Sequence, residues 1–348
     1  MKTILITASI SAFILTYIFS YIMIHIAERY SLYDVPDGRK LHKHPVPTLG
    51  GLSFIATFYI MIGGGFIIYP DFVSQILFHN LTALVVSQLL IVGVGIYDDI
   101  RGLSAPVKFS VQIVSSLILM YILDLSVRML TNPFGGEISL GIFSVPITVL
   151  WLVGITNAIN LLDGLDGLAA GVILISSLSL SLASFYQGQD GVAVLFMILA
   201  FSMLAFLKFN FYKAKIFMGN TGSLFLGFTV ATLSLLISRK TTVSLALLVP
   251  IISLGIPILD TSISFFRRVS EKKNPFIGDK NHIHHILLKS GLSHPHVVIL
   301  IYLITFLLSI ISLTFMVMPG RYSLLILPIV AVIIIITMVS LRFLERGK

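Results

Sequence analysis

The chain has 348 residues, 57% of them hydrophobic and only 11% charged, with a formal net charge of +8. Soluble domains carry about 25% charged residues, so this composition and a mean hydropathy of +1.02 exclude an ordinary soluble fold and predict an all-α polytopic membrane protein. Cysteine is absent, which removes disulfides and thiolate chemistry. No Gly/Ser- or Pro-rich linker divides the chain, so residues 1–348 read as a single integral membrane domain.

The first apolar run, residues 4–26, is long enough to cross ~30 Å of hydrocarbon at about 1.5 Å per residue. Lys2 precedes it like the basic end of a signal peptide. The run is long for such a segment and no small-x-small cleavage site follows, so it is expected to remain as a helix. Further spans are expected at 50–69, 81–97, 106–123, 146–160, 167–186, 191–207, 222–238, 243–265, 297–318 and 322–341, eleven in all. Alternate loops then lie on opposite sides, and 18 of the 23 Lys and Arg residues sort to one of them. Lys2, Arg128, Arg239, Lys240 and Arg321 fall on the other. The excess of positive charge marks the first side as cytoplasmic and the N-terminus as outside. The polar stretches 34–51, 98–108, 157–171, 208–223 and 267–296 share that cytoplasmic side, where an active site is expected. Among the outer loops, 124–145 carries Asn132-Pro-Phe-Gly-Gly136 between two alternating stretches, the pattern of a small hairpin.

The chemistry concentrates in four places. Asn157-Ala-Ile-Asn160-Leu-Leu-Asp163-Gly-Leu-Asp166-Gly sets two carboxamides and two carboxylates between apolar runs. A charge at a bilayer centre costs about 2.5–3.5 kcal/mol, so these carboxylates belong at a membrane surface, as a working site or as a polar inter-helix turn. Asp98-Asp99 closes the third span. Adjacent carboxylates repel, so one serves as a base or both face a cation, unless the pair only stops the helix at the interface. Lys108, just inside the next helix, is a snorkelling anchor or a point charge for phosphate. Lys208, Asn210, Lys213 and Lys215 lead into Phe217-Met-Gly-Asn220-Thr-Gly-Ser223. This opens the eighth span with free N–H groups suited to an anion, although the GxxxxGK[ST] pattern of a P-loop is absent. Phe217 either stacks on a base or packs in the core. His282-Ile-His284-His285 lacks the HExxH spacing and the cysteines of a zinc site. Set among Lys and Arg, these imidazoles suit phosphate or sugar oxygens, or form a solvated basic loop. Carboxylates beside phosphate-binding groups suit Mg²⁺-assisted phosphoryl transfer, and the membrane setting suggests a lipid substrate.

Taken in order, Asp98-Asp99 with Lys108, Asn157-xx-Asn160-xx-Asp163-xx-Asp166-Gly, Phe217-Met-Gly-Asn220 and His282-x-His284-His285 cover nearly the whole chain. The set resembles the polytopic polyprenyl-phosphate N-acetylhexosamine-1-phosphate transferase family. The resemblance implies a bacterial plasma (inner) membrane enzyme that moves GlcNAc-1-phosphate from UDP-GlcNAc to undecaprenyl phosphate and releases UMP. It requires Mg²⁺, with Mn²⁺ as a substitute. That is the first membrane step toward teichoic acid, O-antigen or a similar polymer. By motif, Asp98 and Asp99 lie where the lipid phosphate is activated, Lys108 holds phosphate, and Asn160 sits near the metal. Asp163 and Asp166 line the nucleotide site, with Asp163 taken among the catalytic carboxylates. Asn210 and Phe217 contact uridine, Phe217 by stacking, and His282, His284 and His285 bind the pyrophosphate or sugar. Relatives often pair as homodimers, and no nucleic-acid partner is implied. The branch that uses UDP-MurNAc-pentapeptide carries three adjacent histidines instead and is the alternative.

One position departs from the family pattern. Asn220 stands where the pattern has a magnesium-binding aspartate, and an amide brings neither negative charge nor a base. Three readings follow: a working natural variant, a non-catalytic binding relative, or an Asp-to-Asn disabled form. A lipid or solute transporter is the rival from another class, with Asp260 as its main deep ionisable residue.

Overall fold

The computed structural model describes residues 1–34, 45–131, 137–239, 248–273 and 282–317. The helices α1 (Lys2–Arg29), α2 (Gly51–Ile68), α3 (Pro70–Arg101), α4 (Ala105–Leu123) and α5 (Ser144–Leu162) follow one another with short connections. They are followed by α6 (Leu168–Tyr186), α7 (Asp190–Asn210), α8 (Gly219–Arg239), α9 (Leu248–Ser253), α10 (Gly255–Ser270), α11 (Ile283–Lys289) and α12 (His294–Val317). Among the described residues nine helices are long and apolar enough to span a bilayer. They match the expected spans from 4–26 to 222–238 and the one at 297–318. The expected span at 322–341 lies outside the described residues.

The expected span at 243–265 takes a different form, with α9 and α10 meeting at a break around Leu254. Pro257 explains it, because a proline has no N–H to offer the carbonyl four residues back. That carbonyl, Ser253 O, accepts the Ser176 hydroxyl of α6 at 2.7 Å instead. Backbone freed inside a membrane helix is tolerated when a neighbouring side chain satisfies it in this way. α10 then runs on to Ser270, five residues beyond the expected end.

α8 is the axle of the bundle. Its membrane window is 94% buried, against 22% for α1, and α3, α5, α2, α6 and α7 all pack on it. Helices in lipid are joined by small residues and by hydroxyl or amide bridges, each worth about 0.6 kcal/mol. Thr16 pairs with Thr57 and Ser20 with Ser53 between α1 and α2. Gln88 of α3 donates to Thr229 of α8, and Trp151 of α5 to Ser234 of α8. At Gly95 of α3 a Cβ would stand 2.5 Å from the Thr221 backbone, so this glycine lets α3 reach the first turn of α8.

Two small antiparallel pairs complete the described fold. β3 (Met129–Thr131) and β4 (Glu137–Ser139), in register Met129 to Ser139, are the expected hairpin. β1 (Tyr33–Asp34) and β2 (Val46–Pro47) were not expected. The chain after β2 is laced to the segment before α8: Phe217 N–H donates to Pro47 O, and Gly50 and Gly51 donate to Phe217 O and Met218 O. This seam fixes the start of α8 at the end of the bundle where the polar loops meet.

Candidate active site

The ends of α3, α5 and α7, the start of α8, and the segments around β1–β2 and α11–α12 surround one open cavity of about 950 Å³. Its wall contains Asp98, Asp99, Asn160, Asp163, Asp166, Asn210, Phe217, Asn220 and His285. Residues that the sequence scatters over 188 positions therefore meet in one place.

Asp99 is bound on both oxygens. Asn220 N–H donates to Oδ1 at 2.7 Å, while Thr221 N–H and the Thr221 hydroxyl donate to Oδ2 at 2.9 and 2.6 Å. A side chain from α3 thus caps the N-terminus of α8, as a local Asp would. Gly219 makes room for it, since its φ of +69° is left-handed and a Cβ there would lie 2.6 Å from Asp99 Oδ2. Left-handed backbone costs an L side chain about 1–2 kcal/mol. Gly219→Ala is therefore expected to lower the unfolding free energy by at least about that much, measured in detergent by thermal melting. An unchanged melting temperature would sink this account of Asp99. Asp98 is likewise engaged, accepting Leu103 N–H at 2.7 Å on Oδ1 and Lys108 Nζ at 2.9 Å on Oδ2. Lys108 stands behind Asp98, and the cavity wall does not include it. Lys108 Nζ is thus engaged by the Asp98 carboxylate.

Asn160 Nδ2 donates to Asn220 Oδ1 at 2.9 Å and to the Ser223 hydroxyl at 2.8 Å. Asn157, one turn earlier, turns instead to Gln112 of α4. Asp163 follows as the first residue beyond α5. Among the described residues nothing donates a hydrogen bond to its carboxylate. Desolvation at the cavity floor, then the charges of Asp99 and Asp166, hold its carboxyl well above the usual carboxylate range. Asp166 accepts Ala214 N–H at 3.0 Å, and its own N–H donates to His294 Nε2 at 3.1 Å. Asn210, expected on uridine, lies in the wall with both ends of its carboxamide hydrogen-bonded. Gly167 N–H donates to its Oδ1, and its Nδ2 donates to Ile216 O. These bonds brace two loops. Phe217 is half-buried on the wall, with the seam to Pro47 and Gly50 behind its backbone.

The three histidines separate. His285 faces the cavity, whereas His282 and His284 are buried at 4% and 1% exposure. His282 is held by Asp260, and His284 presses on Gly164, where a Cβ would lie 2.6 Å from its Nε2. Burial first, then the positive charge of His285, pushes the His284 imidazole down to about 3 against the pull of Asp260. Between 6.5 and about 3 the unfolded chain protonates this histidine and the folded chain does not. The unfolded state binds the extra proton, so stability falls as pH drops through that window and is fully present above it. Melting temperatures should show this acid slope, and His284→Gln should flatten it.

Tyr33, Asp34, Tyr212 and His294 also line the cavity and were not singled out from the sequence. Tyr212 stacks on His294 with ring centroids 4.8 Å apart. Both belong to polar stretches placed on the active face, but no spacing distinguishes them within those stretches.

A cation fits this set in a restricted way. Among the described residues no three His, Asp or Glu side chains stand at ligand spacing. Mg²⁺, however, is held by one or two carboxylates together with substrate phosphates. Asp163 offers a carboxylate that accepts no hydrogen bond from the described residues, and Asn220 offers an amide oxygen in the same wall. The residues present suit a divalent ion once a pyrophosphate completes the shell.

A carboxylate-walled cavity at the end of an apolar helix bundle defines the polar site of a polytopic membrane protein. The family model described as glycosyl transferase family 4 matches residues 81–238, which run from α3 through α8. A Bacillus subtilis protein named probable undecaprenyl-phosphate N-acetylglucosaminyl 1-phosphate transferase is 40% identical over 308 residues, covering 88% of this chain and 83% of that one. The decaprenyl-phosphate N-acetylglucosaminephosphotransferase of Mycolicibacterium smegmatis is 32% identical, covering 97% and 88%. The undecaprenyl-phosphate alpha-N-acetylglucosaminyl 1-phosphate transferase of Salmonella typhi is 29% identical, covering 88% and 82%. The chain belongs to the polyprenyl-phosphate N-acetylhexosamine-1-phosphate transferase family.

Proposed function

We propose that this protein transfers GlcNAc-1-phosphate from UDP-GlcNAc to undecaprenyl phosphate, giving undecaprenyl-diphosphate-GlcNAc and UMP. The observation that carries the reading is the cavity itself. It sets the Asp163 carboxylate, which accepts no hydrogen bond from the described residues, with the Phe217 ring and His285 around one space at the end of the bundle. The names of the relatives supply the two substrates. An oxygen of the acceptor phosphate attacks the β-phosphorus of the donor. The bond from that phosphorus to the bridging oxygen breaks, and the oxygen leaves with UMP. Asp163 orients or deprotonates the acceptor phosphate at the cavity floor, and Phe217 stacks on the uracil. His285 binds the sugar-phosphate end. Mg²⁺, held by Asp163 and the oxygen of residue 220, would neutralise charge on the pyrophosphate. Asp98 and Asp99, also in the wall, hold Lys108 and the first turn of α8 in place.

The excess of Lys and Arg on one side supports a cytoplasmic cavity and an outside N-terminus in a bacterial plasma membrane. The product would serve as the first lipid-linked sugar of teichoic acid, O-antigen or a similar polymer. Asn220 favours one second reading, a chain that binds both substrates and turns over slowly or not at all. Its amide oxygen already accepts the Asn160 amide and carries no charge. The transporter reading loses its main residue, because Asp260 is consumed in docking α11. UMP release from UDP-GlcNAc and undecaprenyl phosphate with Mg²⁺ tests the proposal. Release from UDP-MurNAc-pentapeptide alone would transfer the assignment to the peptidoglycan branch.

A further inference from the structure

Asp260 is a buried carboxylate that the transfer chemistry leaves without a task. It is 2% exposed and faces His282, itself 4% exposed. We propose that Asp260 is a positioning residue of the sugar-phosphate site, acting through α11 and His285. The inference rests on the donor reading above and assigns a residue outside the cavity wall to it.

The geometry runs as a continuous chain. Asp260 Oδ1 accepts Ile283 N–H at 2.7 Å, which caps the first turn of α11. Asp260 Oδ2 lies 3.1 Å from His282 Nδ1, and Ser264 Oγ lies 3.4 Å from the same nitrogen. A carboxylate in this position puts the proton on Nδ1 and locks the ring orientation. The His282 ring lies parallel to His284, at 4° and 5.8 Å between centroids. His284 in turn presses on Gly164, beside Asp163, and lies 4.3 Å from the ring of His285. Asp260 thus sets the place of the cavity histidine relative to the carboxylate turn.

Two features single out Asp260 as the anchor. The apolar contacts of α11 toward α10 are few, with Ile263 meeting Ile283 and Ile286, while Leu287 and Leu288 pack toward the α12 cluster. On α10 the usual polarity is reversed: Asp260 and Ser264 are buried, while Phe265, Phe266 and Val269 are exposed. The polar stripe of this helix, together with Ile263, joins it to the histidine segment.

The test is the affinity of the full chain for UDP-GlcNAc and for UMP, by calorimetric titration, in Asp260→Ala, Asp260→Asn, His285→Ala and the Asp260→Ala/His285→Ala double variant. Loss of a positioning partner is expected to weaken UDP-GlcNAc binding about tenfold in Asp260→Ala, with UMP binding unchanged. Asp260→Asn keeps an oxygen for Ile283 N–H and should recover part of the loss. The double variant should bind no more weakly than His285→Ala, because the two act as one unit. Additive losses, unchanged UDP-GlcNAc binding in both Asp260 variants, or an equal loss of UMP binding with a lowered melting temperature would each overturn the proposal. If the parent chain binds neither ligand, the donor reading itself falls. If it binds both and the variants match it, only the role of Asp260 falls. Should Asp260→Ala fail to fold, Asp260→Asn with and without His285→Ala closes the same cycle.

Discussion

Asn220→Asp should raise UMP release by about a hundredfold, on the scale at which metal-site substitutions act. The backbone of residue 220 is pinned by Asp99 and by the seam to β2, so the new carboxylate would occupy the place of the amide without moving α8. Asn160 Nδ2, now 2.9 Å from the amide oxygen, would donate to a carboxylate oxygen equally well. The second oxygen of the aspartate would then be available to a cation, adding the negative charge that an amide lacks. The gain should appear as a lower Mg²⁺ requirement and a higher kcat, with UMP affinity in the absence of metal little changed. Equal rates in the two proteins at saturating Mg²⁺ would mean that the amide oxygen suffices. No turnover in either, with both substrates bound, would leave a binding relative.

Asp163→Asn, made in the Asn220→Asp protein, should lower kcat by about a thousandfold, within the range for loss of an acid–base or charge-bearing group. Of the carboxylates in the wall, Asp99, Asp98 and Asp166 are each tied to protein donors. Asp163 accepts no hydrogen bond from the described residues and is the one set to meet substrate. The same substitution should stabilise the protein in EDTA at neutral pH. Desolvation and the charges of Asp99 and Asp166 raise the folded-state value above the ordinary 3.8. Folding therefore takes up a proton at Asp163, and stability falls as pH rises from 3.8 through that raised value. An asparagine removes the slope. Lost activity together with a raised metal-free melting temperature is the signature of a functional carboxylate. Activity retained in Asp163→Asn would move the chemistry to Asp98.

Much of this site is legible in the chain before it folds. Carboxylates are costly in lipid, so Asp98, Asp99, Asp163 and Asp166 had to come to a surface, and alternation of the spans puts them at one end. The hairpin at β3–β4 follows from the local pattern around Asn132-Pro-Phe-Gly-Gly136. The break at Leu254 is half legible, since Pro257 announces a disruption but not the Ser176 hydroxyl that repairs it.

Membrane class and the gathering of polar stretches at one face thus follow from composition and order along the chain, because the cost of burying charge in lipid acts on each residue locally. The division of labour among those residues was decided by tertiary structure alone. Asp99 caps a helix 120 residues away, Lys108 neutralises Asp98, and Asn210 braces two loops. Among the described residues, Asp163 is left with no hydrogen-bond donor to hold. Hydrogen bonds act over about 3 Å, and only packing around α8 brings such distant side chains that close.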